Sequence, residues 1–329
     1  MITAYARTPQ GVTHAVASPG SAPLANAVWI DLKDVDAEAL AFVSHLLHLK
    51  IPPLREVRLL DQASQLYHDK GALHLVLPLI VRSQSESPTA ASLHFILTEK
   101  VLITLREGES HAFQNFVESL GKRPHLLDHP AAVFTGLVSA IISRMADLGE
   151  TVAYEMDQVS RLVFQESLQR SKAPGRGKPD SWRRVLQGLG RTARLFHRLI
   201  TSLSSFERML AYVSDPKKIE LPQPEREQLL MLQHDSRRLL DQANATVNEA
   251  TFLLDAIASA ISIEQNNVIK IFSMVAVVLM PPTMVASIYG MNFVHMPELG
   301  WIAGYPLALL LMIVSAILPV WWFKRHGWF

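Results

Sequence analysis

Residues 269–323 read IKIFSMVAVVLMPPTMVASIYGMNFVHMPELGWIAGYPLALLLMIVSAILPVWWF, and this stretch decides the fold. From Ile271 to Phe323 the single Asp, Glu, Lys or Arg is Glu298. The stretch divides into two apolar runs, 269–289 and 302–323, each close to the roughly 20 residues that cross a bilayer's hydrocarbon core. The connection, 290–301, is too short to be a domain. A buried hairpin in a soluble protein is disfavoured, because soluble helices of this length keep a charged face. Two C-terminal transmembrane helices joined by a short outer loop are the expectation.

Basic residues orient the pair. Lys270 precedes the first span, Lys324-Arg325-His326 follows the second, and the loop has no Lys or Arg. Positive charge stays inside, so residues 1–268 and the basic tail 324–329 are expected in the cytoplasm. Trp301, Tyr305, Trp321 and Trp322 stand where interfacial aromatics belong. The start, MITAYARTPQ, holds no apolar run of the signal-peptide kind, which agrees with a cytoplasmic N-terminus.

The rest of the 329-residue chain is charge-rich but balanced, 31 Lys+Arg against 30 Asp+Glu overall. A net charge of +1 gives no support to nucleic-acid binding. The absence of cysteine excludes disulfides, thiolate metal ligands and a cysteine nucleophile. No Gly-rich phosphate loop, serine nucleophile elbow or zinc-protease helix is present, so an enzyme is not expected and no cofactor is implied.

Residues 1–130 read as a cytoplasmic α/β domain. Strands are expected at 28–32, 71–81, 92–98 and 101–106, with Glu99-Lys100 closing a hairpin, and a helix at 36–48. Residues 131–268 read as long helices: about 131–169, about 181–213, and a third from about Glu225 that meets no Gly or Pro until Pro281. That third helix is expected to be a stalk running into the first span; its roughly 45 pre-membrane residues reach about 65–70 Å. Leu229, Leu232, Leu239, Ala243, Ala250, Leu253, Ile257 and Ala260 repeat at 3/4 spacing, a seam for other copies or for the chain's own preceding helix.

A second stripe on the same helix is polar or small: Asp255, Ser259, Ser262, Asn266, Ile269, Ser273, Ala276, Met280, Thr283 and Ser287. Polar groups at membrane depth face a bundle interior or water, and small ones also serve helix packing. The continuation into Asn266 and Asp255 favours a pore lining.

Tyr289-Gly290-Met291-Asn292-Phe293, followed by Met296-Pro297-Glu298-Leu299, resembles the CorA family of divalent-cation channels. The likeness is tight over about 255–329, and over the rest it rests on architecture and on fragments such as Val28-Trp29-Ile30-Asp31. The resemblance implies a homopentameric funnel in the cell inner membrane, multi-pass, with five Gly-Met-Asn loops at its outer mouth. Gly290, Met291 and Asn292 would form the selectivity filter, Asn292 facing the hydrated ion. Asp255, Asn266, Ile269, Phe272, Met280 and Thr283 match the family's pore-facing positions, and Ser273 and Ser287 join them from the stripe. The family implies Mg²⁺ as substrate and possible regulatory ligand, with Co²⁺ or Ni²⁺ as co-substrates. Mg²⁺ gives up its waters reluctantly, and a ring of asparagine oxygens can hold those waters without stripping them. Glu298 concentrates cations or is an ordinary solvated residue. Asp61 stands near the position of the family's regulatory carboxylates, but Leu60 precedes it where relatives carry a Glu.

Other readings stay open. His45/His48 and His125/Asp128/His129 have helical metal-ligand spacing, and the zinc-transporting ZntB-like branch is the rival within the superfamily. Met296-Pro297-Glu298-Leu299 favours the magnesium/cobalt branch. A membrane-tethered sensor or scaffold is a further alternative. Arg170, Lys172, Arg176, Lys178, Arg183 and Arg184 surround one acid, Asp180, a basic linker suited to anionic lipid headgroups.

Overall fold

Strand alternation builds the first layer. In the computed structural model, which describes residues 1–8, 11–17, 26–57, 65–81, 89–172, 180–291 and 296–326, seven strands form one sheet. They are β1 (Ile2–Thr8), β2 (Gly11–Ala17), β3 (Trp29–Lys33), β4 (Leu66–Asp69), β5 (Ala72–Val81), β6 (Thr89–Leu97) and β7 (Leu102–Arg106), in the order β2-β1-β3-β7-β6-β5-β4. β3 and β7 pair in parallel, Ile30 opposite Ile103; the other pairs are antiparallel. Successive residues of a strand face opposite sides, so both faces of this sheet are apolar.

One face is covered by α1 (Ala37–Leu47) and α2 (Leu54–Val57), with Leu40, Val43 and Leu54 against Ile30, Leu32, Ile103 and Leu105. Helix α1 starts where Asp36 Oδ1 accepts the Ala39 N–H at 2.9 Å and stops at His48, which adopts φ 52°. The other face carries α3 (His111–Leu120), α4 (Pro130–Lys172), α5 (Asp180–Val213) and the first part of α6 (Gln223–Tyr289). Phe113, Phe134, Phe196 and Phe206 fill that side with Trp29 and Phe95. Full burial of one such side chain stabilises by about 1.5–3 kcal/mol. Met1–Val163 and Asp180–Leu253 form one compact unit, and Phe164–Pro179 with Leu254–Phe329 form a second.

The strands expected at 28–32, 71–81, 92–98 and 101–106 are present, every end within three residues of the expectation. The hairpin at Glu99-Lys100 closes through Thr98, whose Oγ1 accepts the Val101 N–H at 3.0 Å. The β1–β2 hairpin, β4, α2 and α3 lie outside the sequence reading. β1 alternates small and polar residues, and its place in the sheet comes from Ile2 and Ala4 entering the α1 layer while Tyr5 stacks on Trp29 at 4.3 Å.

The 3/4 seam of α6 turns inward. Leu229, Leu232 and Ala243 are buried in the chain's own core with α4 and α5. Among the described residues three helices are long and apolar enough to cross a membrane, α4 among them. The apolar window of α4 is 50% buried, because Val133, Phe134, Leu137 and Val138 cover the sheet. The windows of α6 and of α7 (Gly304–Arg325) are 0% and 11% buried. Those two match the expected spans, and the described residues leave most of their apolar surface uncovered.

Candidate pore helix and outer loop

Helix α6 runs without a break from Gln223 to Tyr289. Pro281 and Pro282 lie inside it and lack the N–H groups that the carbonyls of Val277 and Val278 would receive. Next to them the Thr283 hydroxyl donates to the Leu279 carbonyl at 2.7 Å, and the Ser287 hydroxyl donates to that of Thr283 at 2.8 Å. Such back-bonding satisfies hydroxyls in an apolar helix while leaving their lone pairs outward.

All eight residues expected to line a pore, Asp255, Asn266, Ile269, Phe272, Ser273, Met280, Thr283 and Ser287, lie on this helix and are exposed in the single chain. Ile269, Phe272 and Met280 expose 61%, 71% and 70% of their surface. Less exposed positions recur at Met274, Val278, Pro281, Val285 and Tyr289, a different face at the same spacing. In α7 the covered positions are Gly304, Ala308 and Phe323, small residues over most of the helix. Small residues let helix backbones approach closely in a membrane.

After Tyr289 the chain turns. The Gly290 N–H donates to the Ala286 carbonyl at 2.9 Å and the Met291 N–H to that of Ile288 at 3.3 Å. A Cβ at Gly290 would stand 3.1 Å from the Ala286 oxygen, so this turn is tight for any larger residue. Met291 is exposed, and Asn292 lies outside the described residues. Pro297–Gly300 forms a 3-10 turn that carries Glu298, whose side chain is outside the described set. Asp61 and residues 173–179 of the basic linker also lie outside it.

In the second histidine grouping two members have other partners. Asp128 is ion-paired with Arg7, and His129 Nδ1 accepts the Ala131 N–H at 3.2 Å at the start of α4. Among the described residues no three His, Asp or Glu side chains converge to hold a metal.

Two buried polar groupings lay beyond sequence reasoning. Asp31 receives Arg106 Nη2 at 2.7 Å, Arg106 Nε at 3.0 Å and the Thr104 hydroxyl at 2.7 Å, and that hydroxyl accepts Trp29 Nε1–H at 3.0 Å. Burial, and then the Asp31 charge, pushes the nearby Tyr5 phenol up to about 12. His74 and His94 form the second grouping, on β5 and β6.

Comparison with known proteins follows from this arrangement of sheet, long helix and two apolar spans. The family model described as CorA-like Mg²⁺ transporter protein matches residues 25–325. The chain belongs to this family. CorA family members are transporters and not enzymes, so the chain falls among ion transporters that act on Mg²⁺. A magnesium transport protein CorA of Pasteurella multocida (strain Pm70) is 30% identical over 309 residues, 94% of each chain. That of Escherichia coli (strain K12) is 30% identical over 308 residues, again 94% of each. The complete structure of the CorA magnesium transporter from Methanocaldococcus jannaschii superposes with a TM-score of 0.78 at 20% identity, covering 100% of this chain and 99% of that one. The CorA fold is thus present from the α/β sheet through the long helix to the C-terminal apolar helices.

Proposed function

We propose that this chain is a Mg²⁺ channel of the cell inner membrane, assembled as a homopentameric funnel with both termini in the cytoplasm. Residues 1–130 are its cytoplasmic α/β domain and 131–268 its helical funnel and stalk. Residues 269–289 line the pore, 290–301 form the outer loop, 302–323 form an outer helix, and 324–329 are a basic inner tail. Co²⁺ and Ni²⁺ are co-substrates. One observation carries the reading. Among the described residues no position in the apolar window of α6 is buried, yet the helix bears a stripe of small and polar residues from Asp255 to Ser287. Lipid would favour Leu, Ile and Phe along every face, whereas polar groups at membrane depth suit a shared water-filled interior.

In this arrangement Gly290, Met291 and Asn292 form the mouth, Asn292 hydrogen-bonding the waters of the hydrated ion. Uncharged oxygens bind the ion weakly enough to release it inward. Ile269, Phe272 and Met280 form apolar rings that gate by dewetting, and Asp255 and Asn266 receive the ion below. Cytoplasmic Mg²⁺ acts as a regulatory ligand, with Asp61 among its carboxylates.

Flux into proteoliposomes, with Mg²⁺, Co²⁺, Ni²⁺ and Zn²⁺ compared side by side, tests the proposal. Mg²⁺ uptake is expected in the wild type, with Asn292→Ala losing it while assembling normally. Undiminished uptake by Asn292→Ala would remove the filter assignment. Zn²⁺ alone crossing would favour the zinc-transporting branch, and no flux of any ion would favour a tether.

A further inference from the structure

Along one stretch of the α4–α5 hairpin the two helices carry opposite charge. Between Ser181 and Phe206, α5 carries Arg183, Arg184, Arg191, Arg194 and Arg198 and no Asp or Glu. At 3.6 residues per turn these five fall within one arc of about 100°, a single face about 22 Å long. Four are exposed and Arg198 is half-buried. Among the described residues none of them makes an ion pair. Helix α4 is the reverse. Between Met145 and Ser160 it carries Asp147, Glu150, Glu155 and Asp157, all exposed, and no basic residue. Arg144 approaches Asp147 at 3.8 Å and Arg161 approaches Asp157 at 2.6 Å, while Glu150 and Glu155 have no ion-pair partner among the described residues.

The two helices are in register by height. A Cβ at Gly149 would meet Leu199 at 3.6 Å, and one at Gly188 would meet Val159 at 3.6 Å. These contacts make the helices antiparallel and put Glu155 level with the turn that carries Arg191 and Arg194. Rotation about an axis running along the helices leaves every residue at its own height. Copies related by such a rotation therefore bring the arginines of one α5 level with the acids of the next α4, with no shift required. A contact between two different faces is head-to-tail, the kind that closes into a ring.

We propose that the arginine face of α5 docks on the exposed acidic turns of α4, between Asp147 and Asp157, in a second copy of this chain. The inference rests on the homo-oligomer reading above and names one of its contacts. Complementary charge fixes partner and register more than it adds affinity, and matched height is what a rotational ring demands. A layer of anionic lipid headgroups is the competing occupant, but it would not call for acids at the matching level.

The chain has no cysteine, which makes the test clean. Full-length Glu155→Cys and Arg194→Cys chains, bearing different affinity tags, are co-expressed and treated in the membrane with a short bismaleimide. A dimer band carrying both tags is expected, and each variant expressed alone should lack it. Arg191→Glu with Arg194→Glu should weaken the wild-type oligomer in detergent as judged by its mass, and Glu150→Arg with Glu155→Arg added in the same chain should restore it. An intact oligomer with no mixed band, or with a mass indifferent to both sets, overturns the contact and leaves the oligomer standing. A monomeric wild type overturns the homo-oligomer reading itself. Loss of binding to phosphatidylglycerol vesicles by the Arg→Glu chain, with its oligomer unchanged, would assign the face to the membrane and overturn the proposal.

Discussion

His74 and His94 lie on adjoining strands with ring centroids 5.1 Å apart and His74 Nδ1 3.1 Å from His94 Nε2. Both are buried, and His94 Nδ1 has no hydrogen-bond partner among the described residues. Burial, reinforced by the neighbouring His74, pushes the His94 imidazole down to about 3, and burial also lowers that of His74, partly offset by Asp69. Both rings are therefore neutral in the folded chain at pH 7, one N–H donating across the pair. The unfolded chain takes up these protons near pH 6.5, whereas the folded chain resists both, His94 until about pH 3. Stability from this site is complete above about pH 6.5 and is lost as pH falls from there towards 3. Thermal unfolding in detergent is expected to show a midpoint that falls between pH 7.5 and 5 in the wild type, and a shallower fall in His94→Leu. Equal slopes for the two proteins would assign the acid sensitivity elsewhere.

At the scale of elements, one residue explains how α3 and α4 can both lie under the sheet. A Cβ at Gly136 of α4 would stand 2.5 Å from Phe116 Cε2 of α3, so the two helices approach at a distance that only glycine permits. Gly136→Ala gains helix propensity but forces the Phe116 ring aside in a filled core. A net loss of about 1–2 kcal/mol is expected, since overpacking outweighs propensity there. Calorimetry checks it: a raised melting temperature would show that the ring yields freely. The same helix shows where composition misleads, because its first turns are as apolar as a membrane span. Hydropathy reports only that a surface must be covered. In α4 the sheet covers half of it; in α6 and α7 the described residues cover little or none.

At the scale of the whole molecule, a passive pore draws on the membrane potential. A divalent ion crossing 100 mV gains about 4–5 kcal/mol, twice the value for one charge. A potassium diffusion potential, negative inside, is expected to raise Mg²⁺ uptake by proteoliposomes and its reversal to suppress it; uptake blind to potential would indicate electroneutral exchange instead. The membrane end was legible residue by residue, because lipid imposes an unbroken local constraint on consecutive positions and Tyr289-Gly290-Met291-Asn292 is contiguous. The strands at Trp29, Ala72 and Leu102 were legible for the same local reason, their alternation. The partners of Asp31 were not: Thr104 and Arg106 lie 73 and 75 residues away, and only the parallel pairing of β3 with β7 brings them together. The β1–β2 hairpin is weakly patterned and gains its place from stacking on Trp29, a tertiary contact. The stripe of α6 was visible as spacing, whereas the inward turn of its Leu229–Ala243 seam required the packed helices beside it. Sequence alone determined the two apolar helices and the expectation of their orientation and of an outer loop between them, because hydration and periodicity act over neighbouring residues. Tertiary structure decided which apolar surface is already covered and which charges are already paired, because those depend on residues far apart in the chain.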